Sequence, residues 1–385
     1  MVHLLLAVIY ISFITLGLPD ALLGAAWPSV YRQFQVPVSY AGIISMIIAF
    51  GTIVSSLQSG RLTKWLGTGK VTVLSVAITC AAMFGFSVSG AFWQLCLWAV
   101  PYGLGAGCVD ASLNNYVALH YASRHMSWLH CMWGVGASAG PYIMGFALAR
   151  GLAWNMGYRY IGVLQLVLTA VLLFSLPLWR KPAEGEGDGA ADSLTLIQIL
   201  RIPGAKQGMT AFFCYSALEQ TAGLWAASYM VLRYALTAER ATWFASLFFL
   251  GITVGRAVCG FLTLKLNDAK MVRLGFGCIA SGVLVLFLPL GENAALPGLL
   301  LVGTGCAPIL PCLLHATPEH FGAERSQAII GVQMACSYAG ILVMPPLFGL
   351  IAQYISVSLF PSFLLGVLIL MAVMHETLLR KFRQE

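Results

Sequence analysis

Long apolar segments recur along almost the whole chain, and few charged residues interrupt them. Hydrophobic residues make up 59% of the 385 residues and charged residues only 9%, with a mean hydropathy of +0.85. A soluble globule of this length needs more polar surface than these residues provide. The segments are mostly long enough for helical spans of roughly 20 residues and lack the short alternating pattern of an outer-membrane barrel. The sequence therefore predicts an all-α integral membrane protein.

The apolar segments predict twelve transmembrane helices. Their approximate bounds are 4–31, 38–61, 71–90, 92–120, 127–150, 157–179, 206–235, 241–264, 271–291, 296–316, 326–354 and 357–378. The sequence after residue 180 is rich in glycine and acidic residues and cannot form a core, so it separates six spans from six. We expect an N-terminal six-helix bundle over 1–179, a cytoplasmic linker over 180–204 and a C-terminal six-helix bundle over 205–385.

The positions of the cations predict the orientation in the plasma (inner) membrane. With both termini in the cytoplasm, most Lys and Arg residues lie inside, and those outside are Arg32, Arg150, Arg159, Arg233 and Arg240. This asymmetry agrees with the positive-inside rule. The cations are spread over short loops and form no patch with interleaved aromatic residues, so the net charge of +7 does not indicate nucleic-acid binding.

The two halves of the chain resemble each other in sequence. Residues 51–63 align with 251–263 at an offset of 200, Asp20 aligns with Glu219 at 199, and residues 105–108 align with 303–306 at 198. A near-constant offset over three helix pairs predicts two pseudo-symmetric parallel repeats. Such repeats place a solute site between the halves near the membrane midplane and support alternating access.

Charged residues inside the predicted spans mark the candidate site. Three are acidic, Asp20, Asp110 and Glu219, and Arg256 is the cation. Carboxylates are costly in hydrocarbon and usually mark ion, proton or solute pathways. We expect Asp110 to carry the coupling proton, with Asp20 and Glu219 binding solute hydroxyls or sharing the proton. Arg256 is expected to pair with an acid or form an inner-gate contact, and snorkelling to the interface is the alternative.

Polar side chains share a helical face in two of the spans. Span four places on one face Gly103, Gly107, Asp110 and Asn114. Span seven carries Tyr215, Glu219, Gln220 and Trp225. Carboxylate, amide, phenol and indole groups together suit sugars, because hydroxyls need donors and acceptors while the C–H faces pack on aromatic rings. An interfacial aromatic belt is the alternative reading of the tyrosine and the tryptophan.

Residues 60–70, between spans two and three, resemble the signature loop of the major facilitator superfamily. On physical grounds the loop supplies glycines for close helix approach and the cations Arg61 and Lys64 near the inner surface, where they are expected to act in gating and charge pairing. A topology anchor alone is the other interpretation.

Further stretches resemble the fucose:proton symporter family of this superfamily: residues 105–114, 129–141, 215–229 and 251–256. The resemblance implies the major facilitator fold and uptake of a sugar or related polyol coupled to H⁺ or, in some relatives, Na⁺. It also implies that the family's two acids fall on Asp20 and Asp110, with Asn114 as the accompanying amide. His130 and Trp133 lie in a similar stretch and are further candidates for substrate binding, although His130 can equally serve packing.

The sequence thus predicts a secondary active transporter that imports a sugar or related hydroxylated solute by proton symport. The alternative is a drug/proton antiporter exporting small amphipathic compounds, supported by the Gly/Pro pattern of residues 136–145. An enzyme is not expected because no catalytic constellation is evident, and we expect no cofactor, no metal and no disulfide. The expected partners are the solute and membrane lipid. One chain supplies both halves of the site, so a monomer suffices.

Overall fold

Helices account for the regular structure of this chain. The computed structural model describes residues 2–121, 123–179, 196–263 and 265–383, and no β-strand occurs within these ranges. The helices of the first half are α1 (Val2–Asp20), α2 (Leu22–Phe34), α3 (Ala41–Leu66), α4 (Thr68–Val88), α5 (Phe92–His120), α6 (Ser123–Ala149) and α7 (Trp154–Ser175). Those that follow are α8 (Leu196–Arg201), α9 (Ala205–Tyr234), α10 (Ala238–Leu262), α11 (Asp268–Phe287), α12 (Glu292–Cys306), α13 (Ile309–His315), α14 (Thr317–Phe321), α15 (Ala323–Ile351) and α16 (Phe360–Arg383).

The helices provide the predicted set of membrane spans. Within the described ranges, nine stretches are long and apolar enough to cross a membrane, and the last, Ile329–Phe382, contains both α15 and α16. Helices α6 and α9 are 27 and 30 residues long and carry more polar residues, yet they are long enough to span. The all-α fold is confirmed.

The same helix packing occurs in both halves. In the first half α5 packs on α3 and α4, and α1 packs on α6; in the second half α12 packs on α10 and α11, and α9 packs on α15. Helix α7 lies against α4 as α16 lies against α11. These matched pairs make two pseudo-symmetric bundles of six spans.

Glycines set the closest helix crossings, and they do so at matched positions. A Cβ on Gly103 of α5 would lie 2.4 Å from the carbonyl oxygen of Ile48 in α3. A Cβ on Gly303 of α12 would lie 1.9 Å from the carbonyl oxygen of Phe248 in α10. Only a glycine fits so close to a neighbouring backbone. Since both partners of the second contact lie 200 positions after those of the first, the two crossings are equivalent.

The second glycine pair corrects the alignment of these helices. Gly105 faces the carbonyl oxygen of Ser75 in α4, and Gly305 faces that of Gly275 in α11. The sequence alignment paired Gly105 with Gly303 at an offset of 198, but these two glycines contact non-equivalent helices. The offset of 200 therefore extends through this helix pair.

Two spans are broken near the middle of the molecule. The first is interrupted at Ala21, directly after Pro19 and Asp20, where α1 ends and α2 begins. The tenth is interrupted at residues 307–308, where Pro308 precedes α13. Proline removes a backbone donor and weakens the helical ladder, and broken helices are tolerated where they border a cavity.

The two halves meet at the end of the bundle that holds residues 35–40, which we name the closed end. There Ser39 donates a hydrogen bond to Gln353, and the rings of Tyr142 and Trp243 lie 4.3 Å apart. Further along the same helices, Ser138 of α6 hydrogen-bonds Thr253 of α10 at 3.2 Å. Helices α6 and α10 therefore form a continuous contact between the halves from the closed end to the midplane.

The predicted linker lies largely outside the described residues. Residues 180–195 are not described, whereas Leu196–Arg201 form the short helix α8. Ile199 of this helix packs with Met209 and Leu378, so the end of the linker rests on the second bundle. The domain boundaries themselves remain predictions.

We expect Gly303→Ala to lower stability by about 1–3 kcal/mol, because the added methyl group collides with the α10 backbone rather than with a movable side chain. Gly103→Ala should have a similar effect at the equivalent crossing. The measurement is the thermal unfolding temperature of the purified protein in detergent. Gly277→Ala is the control, since nothing lies within 4 Å of its Cβ position; equal stability of all three variants would contradict the packing argument.

Candidate functional site

Asp20 lies at the break between α1 and α2 and receives a hydrogen bond on each carboxyl oxygen. The Tyr102 hydroxyl of α5 donates to Oδ1 at 2.5 Å, and the Trp133 indole Nε1 of α6 donates to Oδ2 at 2.8 Å. The Asp20 side chain is exposed although it lies at the break in the first span. Asp20 is therefore both held by the protein and accessible to a solute.

Trp133 also contacts the one cation that was predicted inside the membrane. The Arg256 guanidinium carbon of α10 lies 5.3 Å from the centre of the Trp133 ring, within the range of a cation–π interaction. Arg256 NH1 donates a hydrogen bond of 3.4 Å to the carbonyl oxygen of His130, while its Nε is buried without a partner. Arg256 belongs to the second half and thus reaches into the first.

The second half contributes its own polar cluster to this contact. Tyr215 and Glu219 of α9 are buried, at 1% and 7% exposure, and both interact electrostatically with Arg256. Cys306 at the α12 break also interacts electrostatically with Arg256. Arg256 thus interacts with Glu219 and Tyr215 of its own half and with Trp133 of the other half. Its positive charge can offset the negative charge of an ionised Glu219.

Asp110 forms a separate acidic position on α5. Asn114 Nδ2 donates to both the Asp110 carboxyl and its backbone carbonyl, each at 3.0 Å, and the Asn114 side-chain oxygen is buried without a partner. Asp110 interacts electrostatically with Asp20 and with Tyr338 of α15 in the other half. The structure thus brings together the two acids that the sequence assigned to the first half.

Trp225 lies where α9 packs against α15. Its side chain is fully buried, its Nε1 donates to the Pro345 carbonyl oxygen at 2.8 Å, and its ring packs against Phe348 of α15. In this conformation its polar atom is bonded within the second bundle, and its role in substrate binding stays a prediction. Gln220 is partly buried beside Glu219.

The remaining predicted residues lie outside the midplane cluster or beside it. His130 packs its ring edge-on against Phe13, with centroids 5.9 Å apart, and offers its carbonyl to Arg256. Arg61 is exposed near the end of α3, and the side chain of Lys64 lies outside the described part of the structure. A gating role of these two cations stays a prediction.

Sequence analysis missed two tyrosines of this site. Tyr102 lies eight residues before Asp110 and so falls on the same helical face, a signal that was available from spacing alone. Tyr338 has no such signal, because only the packing of α15 against the first half brings it to Asp110. Among the described residues, no group of three His, Cys, Asp or Glu side chains is arranged to hold a metal ion.

Comparison with known proteins identifies this architecture. A sequence model of the Major Facilitator Superfamily matches residues 9–345. The chain belongs to the major facilitator superfamily. Members of this superfamily are transporters, and the chain is accordingly a multi-pass membrane transporter rather than an enzyme.

Superfamily relatives align over most of this chain at low identity. Bypass of stop codon protein 6 of Saccharomyces cerevisiae is 20% identical over 407 residues, covering 97% of this chain and 81% of the yeast protein. The glucose/mannose transporter GlcP of Bacillus subtilis is 22% identical over 315 residues, covering 79% of this chain and 77% of that protein. The crystal structure of a mutant of the nucleoside transporter NupG has a TM-score of 0.78 at 11% identity and covers 97% of this chain and 98% of that one. The structural likeness establishes the same fold.

We expect Trp225→Phe to destabilise the transporter while leaving solute binding by the folded fraction unchanged. The substitution leaves the buried Pro345 carbonyl without its donor, which costs about 1–3 kcal/mol. Thermal unfolding in detergent measures the first effect and ligand binding per folded molecule the second. Trp65→Phe is the control, since Trp65 is 80% exposed. Loss of binding without loss of stability would place Trp225 in the binding site.

Proposed function

We propose that this transporter takes up a sugar or related hydroxylated solute together with a proton by alternating access. The observation that carries the proposal is the line of contacts from Tyr102 through Asp20 and Trp133 to Arg256, which in turn interacts electrostatically with Glu219. The first three belong to one half and the last two to the other, so the line crosses the plane along which the halves move in a rocking transporter. A solute or proton that alters one member affects a contact between the halves.

The chemistry of the line favours a hydroxylated solute. Asp20 is exposed and can accept hydrogen bonds from hydroxyl groups, while the adjacent Trp133 ring offers a surface for C–H groups. The similarity to a transporter named for glucose and mannose supports this class of solute, as does the resemblance to fucose:proton symporters. A single fixed cation amid three carboxyls makes the site a poor receptor for an anion.

The distribution of charge supports coupling to a proton. Asp20, Asp110 and Glu219 outnumber Arg256, and the electrostatic interaction between Asp20 and Asp110 is repulsive when both are ionised. A proton bound by Asp110 removes this repulsion, and Asn114 remains beside the carboxyl to hold it in place. We therefore assign the coupling proton to Asp110. Sodium coupling is the remaining alternative for the ion.

The contacts between the halves fit one state of an alternating-access cycle. The closed end holds residues 35–40, which the predicted topology places outside the cell. In that orientation the solute site is shut off from the exterior in this conformation. For the site to open to the exterior, the two halves tilt in the opposite direction, and the contacts between α6 and α10 near the closed end break.

The glycines on which the antiporter alternative rests lie at a helix crossing. A Cβ on Gly136 would lie 1.8 Å from the Ile14 carbonyl oxygen, and one on Gly140 would lie 2.2 Å from that of Leu18. The glycines that suggested an antiporter motif are thus required for packing α6 against α1. Transport assays with sugars and with lipophilic dyes distinguish the two functions directly.

We expect Asp110→Asn to abolish solute accumulation driven by a proton gradient while retaining exchange of solute between equal pools. Asparagine keeps the shape and the contact with Asn114 but cannot take up a proton at ordinary pH. The assay is uptake by proteoliposomes, with external pH recorded as hexoses, deoxyhexoses and polyols are added one at a time.

The control for this assay is Asp268→Asn, because Asp268 lies at the start of α11 and pairs with His315 away from the midplane cluster. Proton uptake by Asp110→Asn equal to that of the wild type would exclude Asp110 as the carrier. A wild type that moves dyes but no sugar would replace the symport proposal with the antiporter.

A further inference from the structure

The rigid side chain of Trp133 contacts an acid of the first half and a cation of the second half. The indole has a single donor, Nε1, and that donor is used by Asp20 at 2.8 Å. The face of the same ring holds the guanidinium of Arg256, which comes from the other half. The donor and the face belong to one planar group. A rotation of the ring that breaks the hydrogen bond to Asp20 therefore also moves the face that Arg256 contacts.

From this arrangement we propose that Trp133 is a positioning residue that links the protonation of Asp20 to the contact between the two halves. The inference rests on the proposed proton symport and adds to it a route by which charge in one half reaches the other. Asp110 carries the coupling proton in that proposal, and Asp20 senses it through its electrostatic interaction with Asp110 and through solute binding.

The charged state of Asp20 fixes the indole. A hydrogen bond from an N–H to an ionised carboxylate is roughly twice as strong as one between neutral groups. While Asp20 is ionised, the indole is held and presents its face to Arg256. When Asp20 takes up a proton, or binds a solute hydroxyl in place of the indole, this bond weakens and the ring is released.

Arg256 has few other ties to the first half. Its only hydrogen bond there among the described residues is the long one to the His130 carbonyl, at 3.4 Å, and its Nε has no partner. On its own side it interacts with Tyr215 and Glu219. Release of the Trp133 ring therefore leaves Arg256 with Tyr215, Glu219 and the long hydrogen bond to His130, and the contact between α6 and α10 loses its cation–π interaction.

The groups around this switch come from every helix packed on Asp20. Helix α5 supplies Tyr102 and Asp110, α6 supplies Trp133 and His130, and α10 supplies Arg256. One step further away are the groups that interact with these residues, namely Tyr158 of α7, Tyr215 and Glu219 of α9, Tyr338 of α15 and the thiols of Cys131, Cys259 and Cys306. Asp20 and Asp110 are the acids of this set in the first half. A change in the pH dependence of transport on substitution of Trp133 therefore reports on the protonation of these two acids.

The test uses Trp133→Phe, which keeps an aromatic face for Arg256 and removes the donor to Asp20. The initial rate of downhill solute entry into proteoliposomes is measured against pH, alongside gradient-driven accumulation. We expect the pH dependence of the downhill rate to flatten and the accumulation ratio to fall about 10-fold, while downhill entry continues. A side chain that served packing alone would lower all rates together and leave the pH profile unchanged in shape.

Arg256→Lys tests the same link from the other half and guards against misfolding of the first variant. Lysine keeps the charge but lacks the planar group that stacks on a ring, so the pH profile should flatten in the same way. Trp243→Phe is the matched control, since Trp243 also bridges the halves, through Tyr142, but lies at the closed end. Its pH profile should equal that of the wild type.

Each result has a defined consequence. If Trp133→Phe and Arg256→Lys both keep the wild-type pH profile and accumulation ratio, the link through Trp133 is overturned, and the symport proposal still stands on the Asp110→Asn result. If the wild type itself shows no proton coupling, the symport proposal fails and the link fails with it.

Discussion

A carboxylate inside a membrane protein must have its oxygens satisfied, and the arrangement around Asp20 follows from that requirement. Tyr102 and Trp133 satisfy one oxygen each and come from two different helices, so α1, α5 and α6 are held together at the point where the first span breaks. Trp133 then offers its ring to Arg256, and this cation brings in α10 and the acid of α9. Through that chain of contacts, the carboxylate of Asp20 in the first half is connected to the second half.

The scaffold that presents these groups depends on close backbone contact. In hydrocarbon there is little hydrophobic force between helices, and packing of small residues replaces it. Gly103 and Gly303 allow equivalent crossings in the two halves, and Gly136 allows α6 to lie directly on α1, which brings Trp133 to Asp20. Glycines also allow close approach between the bundles, where Gly24 of α2 faces the carbonyl oxygen of Gly223 in α9 and Gly42 of α3 faces the backbone of Pro346 in α15.

Much of the fold and part of the site could be predicted from sequence. Hydropathy predicted the spans. The three acids and Arg256 stood out because charge is rare in such segments. Tyr102 escaped notice although its spacing from Asp110 was informative. The hydrogen bond of the Trp225 indole to Pro345 was not predictable, because an indole beside a polar residue looks the same in sequence whether it faces a cavity or a neighbouring helix.

The sequence by itself determined which segments enter the membrane, where they repeat and which residues carry charge there, because these properties depend on the composition and spacing of neighbouring residues. Only the tertiary structure decided that Trp133 lies between Asp20 and Arg256 and that Tyr338 faces Asp110. These contacts join residues more than a hundred positions apart, and their partners are set by how the helices rotate and cross. Local periodicity fixes the face on which a side chain lies, but the helix that meets this face is chosen by packing.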